Sequence, residues 1–540
     1  MDWHTFQQKL PKEYSSQDLM LLERAFMLAQ KVHQDQKRLT GEAFIEHPAA
    51  VALKIAELKL DVSTIIAALL HDTIETNNTL LKTIRKEFGE EVAFLVKGLT
   101  KADAVRYKGI ERAVESIRKM FLAVSQDIRV VIIKLLDRLH NMETLWVFPE
   151  EKQKRIARET LEMYAPIADR LGMGEIKAQL EDAAFQYVYP EEYKWIFKQV
   201  KEKIPERREY LKRIMPIIEK ELKKEKIEII NINFRAKHYY SLWKKLLRYD
   251  MNWDLIMDLA ALRIIVKDIE DCYATLGVIH KLWPPLPGKI KDYIALPKPN
   301  GYKSLHTTVF CVDRKVTEIQ IRTPEMNEEA EHGIAAHWFW ESLGKPKKTS
   351  RLPSKKFAWV KQLQEWQKHF NKNKKPAGEE FLESLKIDFF KDRIFVLTPK
   401  GDVIDLPEGA TPVDFAYHIH SDIGNSMSGA KVNNRLVSLS SPLSSGDIVE
   451  IITQKNKKPK PEWLDYAKTS LAKQHIKSAI RKSGYILGLA SKKQHTLEIS
   501  ITAIDRIGLI KDISSVFSSC LLYTSPSPRD LSPSRMPSSA

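Results

Sequence analysis

Apolar residues recur at helical spacing through the first third of the chain. LLERAFMLAQKVHQ, HPAAVALKIAEL, STIIAALLHDTIE and ERAVESIRKMFLAV each give a helix one apolar face, so residues 1–195 read as an all-α domain. The period then changes. After a highly charged stretch from Phe197 to Glu228, punctuated by Pro205 and Pro216, IEIININF alternates apolar and polar residues as a half-buried strand does. LRIIV (262–266), HTTVFCV (306–312) and KVTEIQIR (315–322) continue as strands between helical SLWKKLLRY and CYATLGVIHKLW, so 196–343 reads as an α/β block. Residues 344–386 hold two linker-like runs, GKPKKTSRLPSKK and NKNKKPAGEE, around a Trp-bearing helix, FAWVKQLQEWQKHF. Short strands, a Pro-Lys-Gly turn, one helix and a last strand make 387–454 a small α+β module. Residues 455–490 read as a basic linker with a helix, and 491–519 start a strand-turn-helix domain without finishing it. The stretch 520–540 ends in twenty residues of which ten are Ser or Pro; with no apolar period it reads as an artefactual tail that does not fold.

A chain of 540 residues has length for three or four domains. The 29% charged and 43% hydrophobic content is that of a globular protein, and Lys+Arg 86 against Asp+Glu 70 leaves +16. That excess suits an anionic partner such as nucleotide or RNA, or serves solubility alone. Cys272, Cys311 and Cys520 form no CxxC pair, so neither a disulfide framework nor a thiolate zinc site is suggested. The amino terminus lacks a signal-peptide core and no run of about 18 apolar residues occurs, so the expectation is a cytoplasmic protein without membrane association.

Two groups of residues carry chemistry. In the helical block, His47, His71 with Asp72, and Asp137 sit on separate helices, with Glu75 one turn after His71. Imidazoles with carboxylates suit a divalent ion such as Mn²⁺, which activates water for hydrolysis. The alternative is structural: His47 before Pro48 as a helix cap, and Asp137 with Arg138 as an ion pair. In the α/β block, Asp258 stands at the mouth of one strand and Glu318 on another, as a Mg²⁺–triphosphate site requires. Arg235, Lys237, Lys245, Lys289, Lys291 and Lys298 supply positive charge, and Tyr302 after Asn300-Gly301 offers a ring for stacking on a base. The alternative here is that Glu-x-Gln-x-Arg is a solvated strand face.

GEAFIEHPAAVA, AALLHDTIE and KLLDRLHNM resemble the HD-type phosphohydrolase domain of the RelA/SpoT family, whose members make and degrade ppGpp and pppGpp. The resemblance implies that His47, His71, Asp72 and Asp137 hold Mn²⁺, that Glu75 assists the attacking water, and that Arg38 and Asn141 touch the nucleotide. One position departs: where the family motif is His-Asp-x-x-Glu-Asp, this chain has Thr76 after Glu75. A lost acid or base group typically costs about 10²–10⁴-fold in rate. RAKHYYSLWKKL, DLAALRIIV, KDYIALPKPNGYKSLHTTV, EIQIRT and AEHGIAAHW follow in order over about 110 residues, each similar to a motif of the family's synthetase domain.

That similarity implies a nucleotidyltransferase-like α/β fold that transfers the ATP pyrophosphate to the 3′-hydroxyl of GDP or GTP. Asp258 and Glu318 would hold Mg²⁺, with Glu318 activating the hydroxyl; Arg235 would pack on adenine, and Lys237, Ser241 and Lys245 would meet ATP phosphates. Tyr302 would stack on guanine, with Lys298, Asn300 and His306 around the acceptor. Lys289-Ile290-Lys291-Asp292 resembles the basic segment of bifunctional members, implying GDP as well as GTP. IFVLTPKGDVIDLPEGATPVDFAYHIHSDIG resembles a TGS domain, with His418 and His420 as contacts to tRNA or the ribosome, and TLEISITAIDRIGLIKDISSVF resembles the first half of an ACT domain. The expectation is a C-terminally shortened enzyme of two activities, with a working synthetase and a hydrolase weakened at Thr76, whose half domain is disordered, aggregates or associates with a second copy. Its rivals are a hydrolase-dominant enzyme with a silenced synthetase, and an RNA- or ribosome-binding regulator with vestigial catalytic domains.

Overall fold

The computed structural model describes residues 1–12, 14–76, 80–99, 127–256, 259–298, 300–336, 393–455 and 457–482, without the side chains of Glu75, Thr76, Asp254 and Lys482. They fall in one compact unit, Met1–Gly484. The expected elements ERAVESIRKMFLAV and FAWVKQLQEWQKHF, the half ACT domain and the tail lie outside the described residues. Among the described residues no helix is long and apolar enough to cross a membrane.

The first block is helical: α1 (Trp3–Lys9), α2 (Ser16–Val32), α3 (Glu46–Glu57), α4 (Val62–Leu70), α5 (Thr73–Thr76), α6 (Leu80–Leu99), α7 (Arg129–Glu143), α8 (Glu150–Glu159), α9 (Ala165–Arg170) and α10 (Gly174–Val188). Helices α1, α2 and α4 start where a side chain satisfies free N–H groups. Ser15 and Asp18 form a capping box on α2, and Asp61 accepts from the Thr64 N–H on α4. Every residue of α4 from Thr64 to Leu70 is buried, which makes it the central helix. STIIAALLHDTIE reads as one helix but breaks at His71 and Asp72. His71 Nδ1 lies 2.8 Å from the Ala68 carbonyl, and Thr73 Oγ1 donates to the Leu70 carbonyl at 2.6 Å, so side chains satisfy the last turn of α4.

Pro205 and Pro216 do not separate the blocks. Both lie inside α11 (Pro190–Lys224), a 35-residue helix that also carries the expected 195/196 boundary. An interior proline costs about 3 kcal/mol, but here the helix is held along its length. Ile196 and Val200 pack with Phe185 of α10, while Tyr210, Leu211, Ile214, Ile218 and Leu222 pack on the sheet that follows.

That sheet comprises β1 (Ile229–Ala236), β2 (Ala260–Val266), β3 (Lys291–Asp292), β4 (Leu305–Phe310) and β5 (Val316–Arg322), in the order β1-β2-β5-β4-β3. β2 and β5 run parallel; the other pairs are antiparallel. Leu262, Ile264, Ile319 and Ile321 face the α11 core. The period of two turns the intervening residues to the opposite face, where Thr308 stands across from Glu318 and His306 across from Gln320. Helices α12 (Tyr239–Arg248), α13 (Ile269–Leu282) and α14 (Pro324–His332) complete the block.

The third block contains β6 (Arg393–Leu397), β7 (Val403–Pro407), α15 (Pro412–Ile419), α16 (Ser421–Ser426), β8 (Met427–Val432), β9 (Arg435–Val437), β10 (Val449–Thr453), α17 (Trp463–Tyr466) and α18 (Ser470–Lys482). The stretch expected to be a linker after residue 455 instead joins its core, where Trp463, Ala472, Ile476 and Ile480 pack with Val413, Ala416 and Tyr417. Buried Asp414 fixes the join by accepting from the Lys468 and Thr469 N–H groups. Asp405 pairs with Arg393 at 2.6 Å and with Arg170 of α9 at 3.2 Å, tying this block to the first.

Candidate metal centre and nucleotide pocket

Three elements converge in the helical block: α3 brings His47, the turn after α4 brings His71 and Asp72, and α7 brings Asp137. Ligand atoms of His47, His71 and Asp137, all buried, lie within 4.8 Å of one another. Asp72 Oδ2 stands 3.3 Å from His71 Nε2 and 3.8 Å from His47 Nε2, so all four expected ligands meet. Burial pushes His71 down, but the charges of Asp72 and Asp137 outweigh it and hold the imidazole up at about 9. Burial likewise pushes Asp137 up, yet Lys134, His47 and His71 keep it well below the usual carboxylate range. His71 Nε2 is a buried nitrogen without a well-formed hydrogen bond among the described residues, and it faces two carboxylates. The mixed nitrogen and oxygen donors therefore fit a divalent cation. Glu75 and Thr76 end α5; their side chains lie outside the described residues.

The helix α7 supplies more than its ligand. Lys134 Nζ sits 2.6 Å from Asp137 Oδ2, and Asn141 Nδ2 donates to Asp137 Oδ1 at 2.5 Å. His140 Nδ1 lies 2.9 Å from His47 Nδ1, and burial with its cationic neighbours pushes His140 down to about 3. Arg38 donates to Thr144 Oγ1 at 3.0 Å and to Asn141 Oδ1 at 3.4 Å. Lys134, His140 and Thr144 were not expected at the site. Their spacing from Asp137 and Asn141 is the signal that would have found them, since residues three and four apart share a helix face.

The second group lines a pocket of about 360 Å³ on the polar face of the sheet. Arg235, Lys237, Ser241, Lys298, Asn300, Tyr302 and Glu318 all line it. His306 joins them through Tyr302, whose hydroxyl is 2.7 Å from His306 Nε2, and through Glu318 Oε1, 3.1 Å from Nδ1. Burial pushes both His306 and Lys298 down. Lys245 and Lys291 are not among the lining residues: Lys245 lies over the Tyr249 ring, and Lys291 pairs across from His306 in β3. Asp258 lies outside the described residues.

The pocket's opposite wall belongs to the first block. Asp169, Gly172, Gly174, Lys177, Ala178 and Glu181 line it, and none was expected. Asn300 Nδ2 donates to the Asp169 carbonyl at 3.2 Å, which fixes the turn at Asn300 against α9. Asp182 accepts from the Tyr240 N–H at 3.0 Å and pairs with His238 at 3.0 Å, capping α12 from another helix. Glu181 pairs with Lys244 at 3.2 Å and accepts from Ser241 Oγ at 3.3 Å.

In the third block, His418 is half-buried beside Arg393, Asp405 and Arg170, and burial pushes it down to about 4. His420 is 63% exposed.

Comparison with known proteins agrees with this architecture. Residues 25–174 match the HD domain, 234–345 the region found in RelA and SpoT proteins, and 394–453 the TGS domain. The chain is 49% identical over 462 residues to a guanosine-3′,5′-bis(diphosphate) 3′-pyrophosphohydrolase of Aquifex aeolicus, covering 85% of this chain and 64% of that protein. It is 44% identical over 469 residues to a GTP pyrophosphokinase of Myxococcus xanthus, covering 86% and 61%. It is 42% identical over 461 residues to the bifunctional (p)ppGpp synthase/hydrolase SpoT of Escherichia coli, covering 85% and 64%. The chain thus spans somewhat under two thirds of the length of these relatives. With an HD domain around a buried group that fits a divalent ion, a region found in RelA and SpoT proteins around a polar pocket, a TGS domain after them, and relatives of 42–49% identity over most of its length, the chain belongs to the RelA/SpoT family.

Proposed function

We propose that this chain makes (p)ppGpp by transferring the ATP pyrophosphate to the 3′-hydroxyl of GDP or GTP, and that its helical block hydrolyses (p)ppGpp to GDP or GTP and pyrophosphate. The observation that carries the first activity is the pocket in which Glu318, Tyr302, Asn300 and Lys298 meet Arg235, Lys237 and Ser241 across the sheet. In this reading Tyr302 stacks on guanine, Lys298 and Asn300 hold the acceptor, and Arg235 packs on adenine. Lys237 and Ser241 meet the donor phosphates, and the Glu318 carboxylate takes the proton of the attacking hydroxyl. The convergence of His47, His71, Asp72 and Asp137 carries the second activity. Mn²⁺ would be held by those four residues and Mg²⁺ by Glu318 with Asp258; when bound, each neutralises phosphate charge, and the former also acidifies water. Arg38 and Asn141, linked to each other beside Asp137, would hold the nucleotide. In the TGS domain, exposed His420 rather than half-buried His418 would meet tRNA or the ribosome.

The test incubates the full chain with ATP, GDP or GTP and Mg²⁺, and separately with ppGpp and Mn²⁺, then resolves the nucleotides. Both products are expected. Synthesis without breakdown would restrict the function to the synthetase and locate the deficit at Thr76, and breakdown without synthesis would favour the hydrolase-dominant reading.

A further inference from the structure

Arg322 ends β5 with no exposed surface at all, on the face that carries Glu318 and Gln320. A buried guanidinium is expensive without an anion, yet among the described residues no carboxylate pairs with it. Its bonds go to neutral acceptors. Its Nη2 donates to the Tyr302 hydroxyl at 2.5 Å and to Gln320 Oε1 at 3.0 Å, and its Nε to Ser304 Oγ at 3.2 Å.

The two Nη2 bonds begin two arms with a common end. Along one, the Tyr302 hydroxyl accepts from Arg322, so its own proton points to His306 Nε2 at 2.7 Å; His306 then carries its proton on Nδ1, donated to Glu318 Oε1 at 3.1 Å. Along the other, Gln320 Oε1 accepts from Arg322 and its Nε2 donates to the same Glu318 oxygen at 3.0 Å. Along both arms of this ring every donor meets an acceptor, and both run from the guanidinium to the carboxylate. Reversing any member would set two donors or two acceptors against each other. Such chains strengthen their members when they are shielded from water, and the His306 and Glu318 side chains are only 16% and 19% exposed.

We infer that Arg322 and Gln320 are positioning residues of the pocket: together they hold the Tyr302 ring, the His306 tautomer and the Glu318 carboxylate as one unit. This rests on the synthetase reading above. It adds that base stacking and the proton-accepting carboxylate are set by the same ring, so a break at any member loosens both ends.

The test is a double-mutant cycle in the full chain with Tyr302→Phe and Gln320→Leu, which leaves buried Arg322 in place. GDP binding by calorimetry is the primary readout. Each single variant weakens binding about three- to tenfold, the worth of a hydrogen bond in this range, and the double variant no more than about twofold beyond the worse single. In synthesis, Gln320→Leu lowers kcat about tenfold and leaves the KM for ATP within about twofold, which a general loss of structure would not do. Losses that multiply in the double variant overturn the ring, as does a rise in the ATP KM that matches the fall in kcat. If the wild-type chain binds GDP but makes no product, the synthetase reading fails while the binding cycle still decides the ring. If it does not bind GDP, both fail.

Discussion

Two glycines, Gly172 and Gly333, bring the first two blocks into close backbone contact, and adding one methyl group there tests how tightly the blocks are joined. Gly333, after α14, has φ +58, and a Cβ at that position would lie 2.3 Å from the Leu171 carbonyl oxygen, 2.4 Å from the Gly172 carbonyl carbon and 2.6 Å from the Met173 nitrogen. All three atoms are backbone, so no rotamer change can relieve the contact. The Ile334 N–H also donates to the Leu171 carbonyl at 3.0 Å, so the junction cannot part without losing that bond. A backbone at φ +58, ψ −126 costs a non-glycine residue about 1–3 kcal/mol, and overpacking a close-packed junction about 1–3 kcal/mol. Gly333→Ala should therefore destabilise by about 2–6 kcal/mol on those two scales. Gly288 separates the contributions, because it has φ +71 with nothing within 4 Å of a Cβ, and should cost only the backbone share. Gly172→Ala, whose Cβ would stand 2.9 Å from the Asn300 carbonyl oxygen and 3.2 Å from Gly333 Cα, should fall between them. Urea unfolding followed by far-UV circular dichroism gives the order, with GDP binding measured alongside because Asn300 belongs to the acceptor turn. If Gly333→Ala were as mild as Gly288→Ala to within about 0.5 kcal/mol, the usual limit for an uncoupled substitution, the junction would not be close-packed and the reasoning would fail.

His71→Ala should weaken Mn²⁺ binding at least about 100-fold, more than the loss of an outer partner costs, and abolish ppGpp breakdown while sparing synthesis. The free Mn²⁺ electron paramagnetic resonance signal reports binding, and unchanged affinity would remove His71 from the ligands. Arg129→Met strands three carboxylates, since Arg129 meets Asp61 at 3.1 Å, Glu91 at 2.8 Å and Asp127 at 2.6 Å. The loss should be about 2–3 kcal/mol by urea midpoint, below the usual buried-pair figure because Glu91 is open to solvent. For His418, burial lowers the folded imidazole to about 4, so the unfolded chain takes up its proton first as the pH falls from about 6.5. Its contribution is present above pH 6.5 and is lost on the way down to 4, amounting to no more than about 2 kcal/mol for a half-buried ring. His418→Gln should flatten stability against pH in that window, and an unchanged slope would contradict the assignment.

The sequence pattern revealed which face of an element points inward more readily than what covers the other face. VTEIQIR alternates, and its Thr317, Ile319 and Ile321 are indeed buried. The remaining Glu318, Gln320 and Arg322 had a solvated strand face as their alternative reading, yet Arg322 is wholly enclosed, because Tyr302 and Ser304 come over it from the preceding turn. The same limit explains the pocket wall. Nothing in a period tells Asn300 that its partner is Asp169, 131 residues earlier. The prolines of α11 misled for a related reason: propensity weighs the local backbone, whereas a stripe from Ile196 to Leu222 is paid for by two separate cores. The convergence of His47, His71, Asp72 and Asp137 was legible because an ionisable pair directly after an apolar helix contradicts burial unless something compensates it.

One helix, α10, belongs both to the core of the helical block and to the wall of the pocket. Ile176 and Leu180 of α10 are buried in the core of the helical block, while Lys177, Ala178 and Glu181 of the same helix line the nucleotide pocket and Asp182 caps α12. Arg138, next to Asp137, lies 4.1 Å from the centre of the Tyr164 ring, and Tyr164 leads into α9 and the Asp169 carbonyl that holds Asn300. Packed neighbours thus run from α7 to α12 on one side and to the Asn300 turn on the other. Two opposed activities on one chain would cycle wastefully unless each site biased the other, and linkage then requires the bias to be mutual. Mn²⁺ at saturation should change the Kd for GDP by about five- to 150-fold, the usual range for such coupling, and GDP should change the Mn²⁺ affinity by the same factor. Asp182→Ala, which uncaps α12 without touching either ligand set, should leave the effect of Mn²⁺ on GDP intact and weaken its effect on ATP. A GDP affinity indifferent to Mn²⁺ in the wild-type chain would show that α9 and α10 join the sites without coupling them.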